Sequence, residues 1–268
     1  MRVGLIGLGR WGTQILRTLT PLCDVVACPT HLETDAMLSD SSVNAVVIAT
    51  PVGSHFQIAE RSLLAGKHVF IEKPMCVLAS AAERLVSLAE SRVRTLFVGH
   101  IYIYHPTFER LLDLVGGDEI ETIRFTWRKF GTFESDIIPN LVSHDIALAL
   151  ALCHTEPTDF KLVSCKGTVS AVDAIEVAMR FGNTRCVIDI DRFAWGMEPR
   201  KSVSVALKKA PNTELTDFVF DRTDEPLRRE MQAFLAACEG WKIPVITDGR
   251  HGLKVVRAVQ TLSETILP

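Results

Sequence analysis

The chain has 268 residues, 47% hydrophobic and 23% charged, the mix of a folded globular protein with room for about two domains. Its net charge of −3, from 29 basic and 32 acidic residues with no basic run interleaved with aromatics, disfavours nucleic acid as a partner. Cys23, Cys28, Cys76, Cys153, Cys165, Cys186 and Cys238 form no CxxC pair, which argues against a zinc site or a disulfide framework and for reduced thiols in a cytoplasmic protein.

The N-terminal apolar run is broken by glycines and Arg10, too early for a signal peptide. No stretch approaches the ~20 apolar residues of a membrane span. Residues 2–7 are apolar and then meet glycines, the pattern of a buried parallel strand. Residues 13–22 carry helical spacing, with Ile15, Leu16 and Leu19 on one face. Strands are expected at 24–28, 43–49, 68–72 and 95–99. Helices are expected at 55–65, stopped by Gly66, and at 79–91, burying Leu85, Leu88 and Ala89. This alternation predicts a doubly wound parallel sheet, which binds ligands beyond the carboxyl ends of its strands.

After Gly99 the rhythm changes. A helix is expected at 105–114 and a half-buried strand at 121–130, where Ile123, Phe125 and Trp127 alternate with Thr122, Arg124, Thr126 and Arg128. Residues 138–153 read as one apolar helix. Strands follow near 160–167, 174–181, 185–192, 202–207 and 218–220, then helices at 226–239 and 249–266. Strands with segregated helices predict an α+β domain with an open, mostly antiparallel sheet. The expected division is 1–115 and 116–268, with helix 249–266 able to pack back on the first domain. An uncovered apolar face on the second sheet predicts a homodimer or higher homo-oligomer.

Gly7-Leu8-Gly9-Arg10-Trp11-Gly12 is GxGxxG between a predicted strand and a predicted helix. Gly7 permits the turn, Gly9 admits a pyrophosphate close to the backbone, and Gly12 lets helix and strand approach. The helix N-terminus supplies N–H groups and a positive dipole end. A purely structural turn is the competing reading. The first domain is thus read as a Rossmann dinucleotide-binding domain, with NAD or NADP as cofactor. No acidic residue ends the second strand, where Cys28-Pro29-Thr30-His31 stands. Thr30, His31 and Arg10 could contact a 2′-phosphate there, although His31 taken singly reads better as an exposed loop residue, and the choice between NAD and NADP stays open.

Ala49-Thr50-Pro51 with His55, Ala65-Gly66-Lys67-His68-Val69 leading to Glu72-Lys73-Pro74, and Val98-Gly99-His100 with His105-Pro106 resemble the glucose-fructose oxidoreductase / inositol dehydrogenase / MocA family. The resemblance is dense over residues 1–112 and thinner beyond, through His144-Asp145 and Asp248-Gly249. It implies a Rossmann domain joined to a mixed α/β domain, and a dehydrogenase acting on CH–OH groups of sugars, nucleotide sugars or cyclitols. It assigns Thr50, Pro51, His55, Glu72 and Lys73 to the cofactor side. It places Lys73 beside nicotinamide and substrate, with a cis bond often preceding the proline. A lysine of lowered pKa exchanges a proton with the substrate oxygen while the nicotinamide handles hydride.

The family's second-domain helix carries Asp, His and Asp. Here Asn140 stands at the first position, His144 matches the histidine, and Ala147 replaces the last aspartate. Asn140 and His144, four apart, are expected on one helix face as substrate and acid/base groups; packing at a domain interface is the alternative for His144. Asp145 is read as structural. Tyr102, Tyr104 and Trp127 are further substrate-side candidates, with Lys129 beside Trp127 or Arg128 on the other face. No histidine or carboxylate cluster calls for a metal. The lost carboxylate leaves two other readings, a reductase of an imine or non-sugar carbonyl and a non-catalytic dinucleotide-binding regulator or scaffold.

Overall fold

The computed structural model describes residues 1–28, 34–133, 136–208, 216–221, 223, 225–241 and 246–266. The chain forms two compact units, Met1–Tyr104 with Asp224–Arg257, and His105–Thr223 with Ala258–Pro268. Residues 105–115 fall in the second unit, and residues 224–257, which include the start of helix 249–266, in the first.

The first unit is built on a parallel sheet of order β2-β1-β3-β4-β5. Its strands are β1 (Arg2–Ile6), β2 (Asp24–Cys28), β3 (Ala45–Ile48), β4 (His68–Glu72) and β5 (Leu96–Gly99). The helices are α1 (Arg10–Leu19), α2 (Thr34–Ser39), α3 (Val52–Leu64) and α4 (Ala79–Ser91). Strand alternation sends side chains to two separate cores. Val3, Leu5, Val47, Phe70 and Phe97 meet Ile15 and Leu19 of α1 on one face. The same face is closed by Leu227, Met231 and Phe234 of α7 (Glu225–Cys238). Val46, Ile48, Val69, Ile71 and Val98 meet Ile58, Leu63, Leu85 and Val86 on the other, with Val256 of α8 (Gly249–Ile266). Burial on both faces is why these strands read as continuous apolar runs.

The second unit holds a six-stranded sheet of order β11-β10-β6-β9-β8-β7. Its strands are β6 (Ile120–Arg128), β7 (Pro157–Lys166), β8 (Ala174–Phe181), β9 (Thr184–Asp191), β10 (Arg200–Leu207) and β11 (Thr216–Phe220). Only the β6–β9 pair is parallel, so the sheet is open and mostly antiparallel as expected. Helix α6 (Ser143–Cys153) packs on β6, β8 and β9, and α5 (Pro106–Val115) packs against β11.

Two expectations are corrected. Residues 138–153 are not one regular helix: a π-helical turn, Ile138–Val142, precedes α6, and the Ser143 N–H reaches back five residues to the Ile138 carbonyl. Apolar periodicity does not register one widened turn. The face of the sheet opposite α6 is not apolar. Arg124 pairs there with Glu176 (3.1 Å) and Asp189 (3.0 Å), Arg128 pairs with Asp189 (2.6 Å), and Ser204 donates to Asp217.

Candidate active site

β1 delivers the chain to Gly7 at φ +95°, where the Gly7 N–H donates to the Cys28 carbonyl at 2.9 Å. A Cβ at Gly7 would lie 2.7 Å from the Ala49 carbonyl oxygen, and one at Gly12 would overlap the Gly7 carbonyl. Both glycines are therefore required by backbone packing. Gly9 differs, because a Cβ there would meet no described residue within 4 Å. It is the N-cap of α1, and no side chain caps that helix. The first N–H groups of α1 thus have no side-chain cap among the described residues at the positive end of the helix, an arrangement that fits a pyrophosphate. Arg10 is exposed and Leu8 half-buried beside this terminus. The region after β2 containing Thr30 and His31 lies outside the described residues.

At the end of β3, the Ser54 hydroxyl donates to Thr50 Oγ1 and the Pro51 carbonyl, both at 2.8 Å. His55 is buried, with Nε2 2.7 Å from the Thr50 carbonyl and Nδ1 2.9 Å from the Pro74 carbonyl. Burial lowers its pKa, outweighing the two carbonyls that favour the cation. The ring acts as a strut between the ends of β3 and β4.

β4 ends in Glu72, and the Lys73–Pro74 peptide is cis. Lys73 is half-buried. Glu72 accepts the Lys73 amide at 3.2 Å and the Trp11 indole N–H. Burial raises the Glu72 carboxyl to about 7, against the lowering effects of the Trp11 hydrogen bond and the Lys73 charge. The Trp11 side chain is thereby engaged with Glu72 and packed on the α1 face of the sheet. Tyr104 ends a 3₁₀ turn, Ile101–Tyr104, stacks on Phe97 at 5.9 Å and shares a 2.8 Å hydrogen bond with Thr247. Tyr102, in the same turn, is half-buried.

In the second unit, Asn140 sits half-buried in the π turn, and His144 is the second residue of α6, at 8% exposure. Trp127 lies on the α6 side of β6, its ring 6.0 Å from that of His144. Lys201 of β10 places its ammonium 4.2 Å from the centre of the Trp127 ring and pairs with Asp145. Lys129 lies 5.7 Å from the same ring, whereas Arg128 is on the opposite face with Asp189. Burial pushes the Asp145 carboxyl up, opposed by the Lys201 charge. Asp145 is thus engaged with a lysine partner 56 positions away.

Sequence reasoning missed Lys201 and Glu230. Lys201 carries no local signal, since its partner sits on another element. Glu230 had one: with Leu227, Met231 and Phe234 it falls on the buried stripe of α7, a carboxyl where an apolar residue belongs. Among the described residues there is no group of three or more histidines, cysteines or carboxylates placed to hold a metal, and no helix is long and apolar enough to cross a membrane.

A family profile described as an oxidoreductase family with an NAD-binding Rossmann fold matches residues 18–100. The UDP-N-acetylglucosamine 3-dehydrogenase of Acidithiobacillus ferrooxidans is 31% identical over 202 residues, 68% of this chain and 64% of that enzyme. A crystal structure of the enzyme of that name and organism superimposes with a TM-score of 0.84 at 26% identity, covering 99% of this chain and 97% of that one. A dTDP-3,4-didehydro-2,6-dideoxy-alpha-D-glucose 3-reductase of Streptomyces violaceoruber is 38% identical over 90 residues, 34% of this chain and 26% of the enzyme. The sequence matches thus span less than two thirds of the length of either relative. The WlbA dehydrogenase of Bordetella pertussis, solved with NADH and UDP-GlcNAcA, shares the fold at 20% identity and a TM-score of 0.79, over 98% of this chain and 95% of that one. With its glycine turn, its Glu72-Lys73-Pro74 strand end and its two-unit architecture, the chain belongs to the glucose-fructose oxidoreductase / inositol dehydrogenase / MocA family of oxidoreductases with an NAD-binding Rossmann fold.

Proposed function

We propose that this protein is an NAD(P)-dependent dehydrogenase or reductase that interconverts a hydroxyl and a carbonyl on a sugar, with nucleotide sugars the favoured class. One observation carries the reading. The uncapped N-terminus of α1 and Lys73 stand at the carboxyl ends of β1 and β4, strands of one parallel sheet, where such sheets take their ligands. The nicotinamide, when bound, supplies the hydride acceptor or donor. Lys73 holds the substrate oxygen and carries its proton, with the Glu72 carboxyl fixed beside its amide. His144 is the second proton-handling group and Asn140 a hydroxyl ligand. With alanine at 147, the pair works without the carboxylate that the family pattern leads one to expect there. The nucleotide-sugar preference draws support from the named substrates of the Acidithiobacillus and Streptomyces enzymes.

The test is titration of NADH and NADPH, followed by fluorescence, with wild type and Lys73→Ala, then reduction of NAD or NADP with UDP-N-acetylglucosamine as first probe. Both proteins are expected to bind one cofactor, and only wild type to turn over. Failure of wild type to bind either cofactor would sink the reading and favour a regulator or scaffold. The reading includes a homo-oligomer through the open face of the second sheet, whose alternating Arg124, Arg128, Glu176 and Asp189 offer a self-complementary charge pattern. A purely monomeric species in size-exclusion chromatography with light scattering would overturn that part.

A further inference from the structure

A buried polar cluster lies behind Lys73 within the first unit. Glu72, at 9% exposure, takes two N–H donors, the Trp11 indole and the Lys73 amide. Glu230 of α7 is fully buried, and among the described residues neither of its carboxyl oxygens has a side-chain hydrogen-bond partner. His100, also buried, leaves both ring nitrogens unpartnered and packs edge to face on His251 at 5.6 Å. Helix α7 packs on α1 and on the turn Ile101–Tyr104, its Leu227, Met231 and Phe234 cluster with Phe70 of β4, and Glu230 on the same stripe lies within reach of the Glu72 charge. Burial raises its carboxyl well above the usual range and the Glu72 charge adds to the rise, against the lowering effect of the His100 backbone N–H.

Two carboxylates in one desolvated space do not both ionise, so the pair keeps a proton. The donors decide where it sits. An ionised carboxylate only accepts, and a protonated one also donates. Glu72 has two donors and suits the anion, while Glu230 has at most the His100 backbone N–H, which already donates to the Val98 carbonyl at 2.9 Å, and suits the acid.

We propose that Glu230 is a positioning residue of the Lys73 site, a neutral carboxylic acid facing Glu72 that leaves a single negative charge, held by Trp11, beneath the lysine. The proposal rests on the reading of Lys73 as the proton-handling group. A second charge there would hold Lys73 as ammonium and make its proton harder to release. The other groups around Glu230 do not supply a cation in its place. His100 is kept neutral by burial, with the His251 and Lys73 charges acting in the same direction. Tyr104 is engaged with Thr247, and Asp248, near Tyr104, is acidic.

The test compares the full-length protein with Glu230→Gln and Glu230→Leu. A carboxyl raised in the folded state contributes stability that is present below its unfolded pKa and lost as pH rises toward the folded value. Glu230→Gln, which does not titrate, is therefore expected to gain melting temperature over wild type steadily from about pH 5 to about pH 9. A difference that stays constant with pH overturns the proposal. The indole N–H resonance of Trp11, assigned with Trp11→Phe, is expected to stay in place in Glu230→Gln, which is neutral and polar as the acid is, and to shift in Glu230→Leu, which removes the polar group from the Glu72 surroundings. Equal positions in the two variants would show a packing role alone. If Glu230→Leu does not fold, the melting series decides. Loss of NADH binding by wild type would instead count against the functional reading and leave both of these readouts intact.

Discussion

The indole of Trp11, in the first turn of α1, donates its N–H to the carboxylate of Glu72 at the end of β4, so the glycine turn and the lysine strand end are tied by a partly buried hydrogen bond. The bond favours the Glu72 anion. Trp11→Phe is expected to raise the Glu72 carboxyl above about 7. Because the folded value already exceeds the unfolded one, stability falls as pH rises through it, and the variant extends that loss. Urea unfolding at about pH 5 and about pH 9 should show a destabilisation of about 1–3 kcal/mol that appears mainly at the higher pH.

Gly9 and Gly12 separate binding from folding. Gly9→Ala places a methyl in open space, so melting should match wild type while NADH affinity falls about tenfold or more, by obstruction at the helix N-terminus. Gly12→Ala drives a methyl into the Gly7 carbonyl and should lower the melting temperature even without cofactor. Equal melting of the two variants would contradict the assignment.

Lys201→Met removes the partner of buried Asp145. An uncompensated buried charge costs about 3–5 kcal/mol. The loss should be smaller near about pH 4, where Asp145 can take up a proton, and larger near about pH 8. Lys201→Met with Asp145→Leu should recover most of it in denaturant unfolding.

Phe234→Ala opens the aromatic cluster in which Phe234 meets Phe70 at 5.6 Å and Phe97 at 5.7 Å, both edge to face. A cost of about 3–5 kcal/mol is expected, read as a lower urea midpoint. A midpoint like that of wild type would mean that α7 does not cover the sheet in solution.

The first unit was legible because its signals are local. Each parallel strand is a short apolar run, and Gly7, Gly9 and Gly12 sit between a strand and a helix as a phosphate turn requires. Glu72-Lys73-Pro74 stood out through its place at a strand end. The site in the second unit was less so, because its contacts join distant residues: Lys201 meets Asp145 across 56 positions, and Trp127 meets His144 only when β6 faces α6. The π turn left no mark in the apolar pattern. The polar face of the second sheet, in contrast, was already written in the alternation of Thr122, Arg124, Thr126 and Arg128, and the expectation of an apolar face overlooked it.

The first unit is assembled from two separated stretches, Met1–Tyr104 and Asp224–Arg257. During synthesis its five strands leave the ribosome long before Leu227, Met231 and Phe234 exist to cover the face that carries Phe70 and Phe97. The nascent sheet must therefore wait, half-clothed, while more than a hundred intervening residues are made, an interval in which its bare aromatic side is a natural client for chaperones. A fragment ending at residue 115 would be caught permanently in that condition.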